Sequence, residues 1–147
     1  MTISKFIYTT YIKSTPEKVW EAIITTEFQR QYWFGVHFET DWKVGSSWRM
    51  LYPDGKMTDS GEVVAMEPPK RLVLKWLNEW NEEMKAEGYS QCIMEIEPVN
   101  NVVKLTVTHT MERAESKLVG AVSGGWPRIL SNLKSLLETG SVVLEAK

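Results

Sequence analysis

The sequence predicts an α+β domain in which a curved antiparallel sheet of about six to seven strands wraps round a long C-terminal helix. Period-two alternation of apolar and polar residues runs through the middle of the chain, and an apolar stripe at helical spacing lies near its end. The connections between the alternating segments are short, so neighbouring strands pair antiparallel. With two short helices after the first strand, this is a plan in which the helices are segregated from the sheet.

The first elements are one strand and the two short helices. Residues 6–14 alternate and are rich in β-branched and aromatic types, which predicts a strand. A helix follows, with Ser14 or Thr15 as its N-cap and Pro16 in its first turn. A second helical turn is predicted from about Glu27 to Trp33.

The middle of the chain predicts six further strands, because apolar and polar residues alternate and turn residues separate the segments. Their ranges are Val36–Asp41, Ser47–Tyr52, Gly61–Glu67, Arg71–Leu77, Tyr89–Glu97 and Val102–Met111. Leu72, Leu74 and Trp76 alternate with Lys75, so one face of the sheet is apolar and needs a helix to cover it.

The last element is an amphipathic helix whose apolar stripe runs from Trp126 to Leu137, with Asn132 among the polar residues of the other side. Gly140 is predicted to end it as a left-handed cap. Two starting points are open: Ser123 as the cap with Pro127 in the first turn, or Pro127 as the first helical residue.

Composition narrows the function classes. The 147 residues are expected to form one domain, 1–147, with 17 basic and 19 acidic side chains, so neither nucleic acid nor an anionic membrane surface is an expected partner. One cysteine excludes an internal disulfide. No membrane span or secretory signal is visible, which makes a cytoplasmic location the expectation. We expect no metal and no cofactor, since the chain shows no ligand spacing for either.

Several motifs together resemble one known superfamily across almost the whole chain. They are Ser14–Ile23, Tyr32–Phe34, Val44–Arg49, Gly61–Val63, Pro68–Trp76, Gly124–Leu130 and Leu136–Gly140. The chain resembles the START-like (SRPBCC) helix-grip superfamily, the fold of the birch pollen allergens, and within it the branch named for the activator of the heat-shock-protein ATPase (AHSA-type). The resemblance implies a cavity between sheet and C-terminal helix that takes an apolar small molecule. It implies no chemistry, because members include lipid carriers, hormone receptors, polyketide cyclases and cochaperones.

Aromatic and methionine content supports a lined cavity. The chain has 7 Trp, 5 Tyr, 4 Phe and 7 Met, and packing that many indoles into one small core, each with an N–H to satisfy, is difficult. Core packing is the competing interpretation for each residue taken alone. The candidate ligand contacts are Trp33, Phe38, Trp48, Met50, Trp76, Met94, His109, Trp126 and Leu130.

Polar candidates for chemistry are few. His109 is in phase with inward residues of its strand, where a hydrogen-bonded core histidine is favoured over a ligand contact and over a general base. Cys92 is expected to be an inert buried residue. Gly124 and Gly125 lack the lysine of a phosphate loop, and we expect them to bring the chain close to the sheet.

The segment 78–88 joins two strands and is interpreted as a lid. Trp80 and Met84 are four residues apart, so a short helical turn would place both at the mouth of the cavity. We therefore predict a binding module for an apolar, lipid-like or aromatic small molecule. The alternatives are a cyclase, dehydratase or hydrolase that uses His109, and a cochaperone-like domain with a protein partner.

Overall fold

A seven-stranded sheet and four helices make up residues 3–145, the part of the chain that the structure, a computed structural model, describes. The strands are β1 (Ser4–Ile12), β2 (His37–Glu39), β3 (Ser47–Leu51), β4 (Met57–Glu67), β5 (Arg71–Asn78), β6 (Ser90–Val99) and β7 (Val102–Met111). The helices are α1 (Pro16–Ile24), α2 (Thr26–Tyr32), α3 (Glu82–Ala86) and α4 (Lys117–Thr139). None of the helices within residues 3–145 is long and apolar enough to cross a membrane.

The sheet is antiparallel throughout, with the strand order β1-β7-β6-β5-β4-β3-β2. From β2 to β7, each strand pairs with the next strand in the chain. The first strand, β1, pairs instead with the last, β7, with Ser4 opposite Met111 and Ile12 opposite Val103. Two short helices follow β1, and the long helix follows β7. The predicted α+β helix-grip fold is therefore confirmed.

Alternation along the strands gives the sheet one apolar inner face. On β5, Leu72, Leu74 and Trp76 are buried while Lys75 is exposed, as predicted. On β7, the buried positions include Val107 and His109, both fully enclosed. This face packs against α1 and α4, so the core lies between the sheet and the helices.

The region of α1 and α2 is fixed by side chains that bond to the backbone. The Thr15 hydroxyl accepts a hydrogen bond from the Lys18 amide at 3.2 Å, and Pro16 is the first helical residue, as predicted. Gln29 is fully buried on α2, where its side-chain amide donates to the Ile23 carbonyl at 2.7 Å and accepts from the Phe38 amide at 2.9 Å. Gln29 thereby fixes the start of β2 against the turn between α1 and α2.

The long helix α4 begins at Lys117, so both predicted starting points, Ser123 and Pro127, were wrong. Pro127 lies inside the helix and costs it one backbone hydrogen bond. Ser116 caps the first turn, and the Glu87 carboxylate accepts from the Ser116 hydroxyl at 2.5 Å and from the Lys117 amide at 2.7 Å. Glu87 is distant in the chain from α4, and its contacts stabilise the first turn. The helix can therefore begin before the apolar stripe that starts at Trp126.

The C-terminal end of α4 is fixed by a glycine cap and by one buried asparagine. Gly140 has φ 87° and is the left-handed C-cap that the sequence predicted. Asn132 was placed on the polar side but is fully buried. Its side chain accepts from the Leu144 amide at 2.7 Å and donates to the Leu144 carbonyl at 2.8 Å, which ties the chain after the helix back onto it.

Strand β4 begins at Met57, earlier than the predicted Gly61, and Gly61 itself permits a close approach. A Cβ atom at Gly61 would lie 1.8 Å from the Lys75 carbonyl oxygen and 2.8 Å from the Trp48 ring. The Trp48 indole crosses β4 here and donates to that same carbonyl at 3.0 Å. The missing side chain therefore makes room for a fully buried tryptophan.

Candidate functional site

A cavity of about 340 Å³ lies between the inner face of the sheet and the N-terminal half of α4. Its walls come from the segment that follows α2, from β3 and the residue after it, from β4 and β5, from the segment that follows β5, and from α4. The lining residues are Trp33, Phe34, Val36, Met50, Tyr52, Thr58, Asp59, Trp76, Asn78, Trp80, Leu118, Ala121, Val122, Gly125, Trp126 and Ile129. Most of these side chains are apolar, and the polar ones come mainly from β4 and β5.

Three tryptophans form an aromatic wall on the inner side of this cavity. Trp33 and Trp76 are stacked, with ring centroids 6.4 Å apart and an interplanar angle of 17°. Trp126 meets both edge-on, at 5.3 Å from Trp33 and 5.8 Å from Trp76. Such a wall presents flat, rigid apolar surface, which suits ring-containing ligands.

On the helix side, Gly125 leaves space. A Cβ atom added at Gly125 would meet no atom within 4 Å, and the residue lines the cavity. Gly124 has equally open surroundings but does not line the cavity. The predicted role of this pair, a close approach of the chain to the sheet, was therefore wrong, because nothing presses on either position.

Asp59 is a buried carboxylate in the cavity wall, with 9% of its surface exposed. One of its oxygens accepts from the Thr58 hydroxyl at 2.7 Å, and the other accepts from the Trp76 indole N–H at 2.7 Å. Burial raises the pKa of Asp59, the hydrogen bonds from Thr58 and Trp76 lower it in part, and the Glu79 carboxylate raises it again. Within residues 3–145 no ion pair includes Asp59.

His109 is buried next to Trp76 and Trp126, where both of its ring nitrogens take part in a chain of hydrogen bonds. The Trp126 indole N–H donates to His109 Nδ1 at 3.2 Å. Because an indole nitrogen is only a donor, Nδ1 carries no proton, and in the neutral ring Nε2–H donates to Ser90 Oγ at 2.7 Å. Ser90 donates in turn to the Trp76 carbonyl at 3.2 Å. Burial lowers the pKa of His109 to about 4, so the ring is neutral near pH 7.

The structure brings four of the nine predicted contacts together in the cavity wall: Trp33, Met50, Trp76 and Trp126. The other five, which do not line it, are Phe38, Trp48, Met94, His109 and Leu130. All five are buried in the core. Phe38 packs between Trp33 and Trp48 at centroid distances of 5.4 and 5.1 Å. Their contact with a ligand stays a prediction.

Sequence reasoning did not find Asp59 and Asn78. Both are inward-facing and buried, at 9% and 2% exposure, in strands β4 and β5. The alternation of β4 could have been extended back from Gly61 to Met57, which would have included Asp59 in the strand. The residues there are polar, however, and such a run is typical of a loop. Their burial is evident only once the two strands are paired.

The segment interpreted as a lid does contain a helical turn, α3, but only one of its two apolar residues reaches the cavity. Trp80 lines the cavity and is 59% exposed. Met84 packs instead against a separate small cluster of Met111, Leu118 and Val119. The placement of Met84 at the mouth was therefore wrong, while Trp80 lies where a lid residue would.

For the remaining titratable groups of residues 3–145, the possible roles are those of metal ligand and of reactive group. In the part of the chain that the structure describes, no group of three or more His, Cys, Asp or Glu side chains could hold a metal ion. Cys92 is fully enclosed, and burial raises the pKa of its thiol, which keeps it protonated.

The sequence of this chain matches one known protein family. A family model described as Activator of Hsp90 ATPase homolog 1-like protein matches residues 13–138. Comparison with curated proteins gives no match.

Among solved structures, the chain is similar to the Aha1 dimer from Colwellia psychrerythraea, with 20% identity and a TM-score of 0.75 over 93% of this chain and 98% of that one. It is also similar to PFC0360w, an HSP90 activator from Plasmodium falciparum, with 26% identity and a TM-score of 0.72 over 90% and 95%. CalU16 from Micromonospora echinospora matches with 17% identity and a TM-score of 0.74 over 92% and 77%.

Proposed function

The chain belongs to the family of Activator of Hsp90 ATPase homolog 1-like proteins, and we propose that it binds an apolar, ring-containing or lipid-like small molecule in the cavity between the sheet and α4. The observation that carries this proposal is the wall of Trp33, Trp76 and Trp126 around a space of about 340 Å³. Cavities of roughly 300–1,000 Å³ with apolar walls and a few convergent polar groups are typical ligand sites.

Two leucine substitutions in α4 test the proposal. Gly125→Leu adds a side chain at a position that lines the cavity, and Gly124→Leu adds the same side chain at a position that does not; at both positions a Cβ atom would meet no atom within 4 Å. Both changes remove a glycine from a helix interior, so their effects on helix stability are alike. We expect Gly125→Leu to weaken ligand binding by roughly tenfold or more, about 1.4 kcal/mol, and Gly124→Leu to leave it unchanged.

Binding is measured by proton–nitrogen NMR titration with pooled apolar compounds that include fatty acids and polycyclic aromatics. The seven indole N–H signals are internal reporters. Ligand should shift the signals of Trp33, Trp76, Trp80 and Trp126, which line the cavity, more than that of Trp20, which does not. Absence of saturable shifts with every pool, or equal loss of binding in both leucine variants, contradicts the proposal.

A protein partner is the second candidate, favoured by the outer face of β1. Ile7 and Tyr11 on β1, and Ile3 just before it, are 53, 50 and 49% exposed at this edge of the sheet. Two of the similar structures are described as Aha1 and as an HSP90 activator. If this chain acts likewise, it stimulates an Hsp90-type ATPase. The double variant Ile7→Lys/Tyr11→Ser then removes that stimulation, while Gly125→Leu retains it.

Catalysis is not part of the proposal. His109, the candidate base of the enzyme alternative, has both ring nitrogens engaged and does not line the cavity. A general base has to reach the proton that it removes. The cytoplasmic location expected from the sequence stays a prediction.

A further inference from the structure

The polar groups of the cavity are concentrated at one place, where β4 and β5 pair. Asp59 and Asn78 are directly opposite each other in the strand register, and both line the cavity. Residues opposite each other in an antiparallel pair have Cβ atoms about 4.5–5.5 Å apart. A ligand that enters between the tryptophans therefore meets both side chains with the same edge.

Asp59 offers unused acceptor capacity at this place. A carboxylate has about four lone-pair sites, and each oxygen of Asp59 receives one protein hydrogen bond, from Thr58 or from Trp76. No cation pairs with the carboxylate within residues 3–145. A buried acceptor with free sites is a strong partner for a ligand N–H or O–H, because charge-assisted hydrogen bonds are the stronger kind.

Asn78 offers the opposite group. Its side-chain oxygen accepts from the amides of Trp80 at 3.2 Å and Asn81 at 2.8 Å, which fixes the orientation of the amide. Its side-chain nitrogen donates no hydrogen bond within the described residues. The single fully enclosed side-chain polar atom without a partner in that range is His37 Nδ1. The Asn78 nitrogen therefore keeps some accessible surface, and Asn78 lines the cavity.

We propose that the cavity selects a flat ring system whose edge carries a hydrogen-bond donor next to an acceptor, as a lactam does, with the donor bound to Asp59 and the acceptor to Asn78. The inference rests on the proposed function and deepens it by naming the head group. A ligand with a carboxylate edge is disfavoured, because it would face the Asp59 carboxylate. A purely apolar ring leaves the spare acceptor sites of Asp59 and the side-chain nitrogen of Asn78 without a ligand partner, which is the costly case.

Four ligands of nearly equal shape separate the possibilities on the unmodified protein. 2-Quinolone carries donor and acceptor, N-methyl-2-quinolone only the acceptor, protonated 2-aminoquinoline only donors, and naphthalene neither. We expect 2-quinolone to bind roughly tenfold more tightly than each of the other three, since a site with buried polar groups rejects analogues that leave them unpaired. This ranking needs no variant and is measured by the indole NMR titration.

Two nearly isosteric variants then assign the groups. Asp59→Asn replaces free acceptor sites by a donor, and Asn78→Asp replaces the free donor by an acceptor while it keeps the oxygen that Trp80 and Asn81 require. Each should weaken 2-quinolone binding by about tenfold and change naphthalene binding little. Glu62→Gln, an equal charge change at an exposed position of β4, is the control and should change neither affinity.

The outcomes distinguish this inference from the proposed function. Equal affinity for 2-quinolone and naphthalene overturns the inference and leaves an apolar binding site. Tightest binding of 2-aminoquinoline, lost in Asp59→Asn but kept in Asn78→Asp, overturns it in favour of a carboxylate that binds cations. Binding of none of the four overturns both.

Discussion

The stability of the fold should depend on pH through His109, and the dependence can be worked out from its surroundings. The ring is held neutral, since Trp126 donates to Nδ1 and burial lowers the pKa from 6.5 to about 4. An unfolded chain takes up this proton near pH 6.5, before the folded protein does. The neutral-histidine contribution is therefore fully present above pH 6.5 and is lost as the pH falls toward 4.

The magnitude follows from the two pKa values. At about 1.4 kcal/mol per pKa unit, the lowering from 6.5 to about 4 corresponds to about 3 kcal/mol in all. Between pH 7 and pH 4.5 the loss is about 2 kcal/mol, because at pH 4.5 most of the unfolded chains carry the proton and most of the folded ones do not. This is a large part of the stability of an ordinary domain.

The assay is urea unfolding at pH 7 and pH 4.5 for the unmodified protein and for His109→Gln. Other groups also titrate in this range, among them Glu79, whose pKa is lowered by hydrogen bonds from Lys85 and Ser60. These groups are common to both proteins, so the difference between the two losses isolates His109. We expect the unmodified protein to lose about 2 kcal/mol more than the variant.

Equal losses in the two proteins would refute the reasoning. A direct control uses the imidazole nitrogen NMR signals of the folded protein at pH 7, which should show a proton on Nε2 and none on Nδ1. A proton on Nδ1 would contradict the hydrogen bond from Trp126.

Four further substitutions have defined expected outcomes. Gly61→Ala should lower the free energy of unfolding by about 2–3 kcal/mol, because its Cβ atom would lie 1.8 Å from the Lys75 carbonyl oxygen. Gly124→Ala is the matched control: it has open space around it and should raise the free energy of unfolding by about 0.5–1 kcal/mol. Both are measured by thermal unfolding. Trp80→Ala should increase the ligand dissociation rate in stopped-flow fluorescence without changing stability, and an unchanged rate would end the lid interpretation. Asn132→Ala should cost about 1–3 kcal/mol and speed hydrogen exchange at the amides of residues 143 and 144, while unchanged exchange would show that Asn132 does not hold them.

The sequence predicted the elements of the fold because the hydrophobic pattern matches the strand and helix periods over most of the chain. The predicted Val102–Met111 strand, for example, is observed with the same bounds. The pattern failed at the start of β4, where Thr58 and Asp59 are polar and yet buried. A strand that presents polar groups to a cavity does not look like a strand of the core.

The start of α4 could not be predicted for a different reason. Glycines and Pro127 are local signals against a helix, whereas Glu87, which accepts from Ser116 and Lys117, is remote in the sequence. Tertiary contacts therefore outweigh propensity at this helix end. The cavity lining was predicted only in part. Period-two alternation shows which strand residues face the core, but it does not show whether such a residue reaches the cavity or is packed beneath its wall. Trp48 and Trp76 look alike in the pattern, yet only Trp76 lines the cavity.

The pairing of β1 with β7 has a consequence for how the protein folds. Residues 4–12 find their partners only in residues 103–111, so the chain must close a long loop before this edge of the sheet exists. Domains dominated by such distant pairings fold slowly, on the order of milliseconds to seconds. During synthesis β1 emerges before the other described strands, and its partner β7 is the last of them to appear. The side chains of β1 that face the core, Phe6 and Ile12 among them, are thus left without a partner strand until β7 has been made.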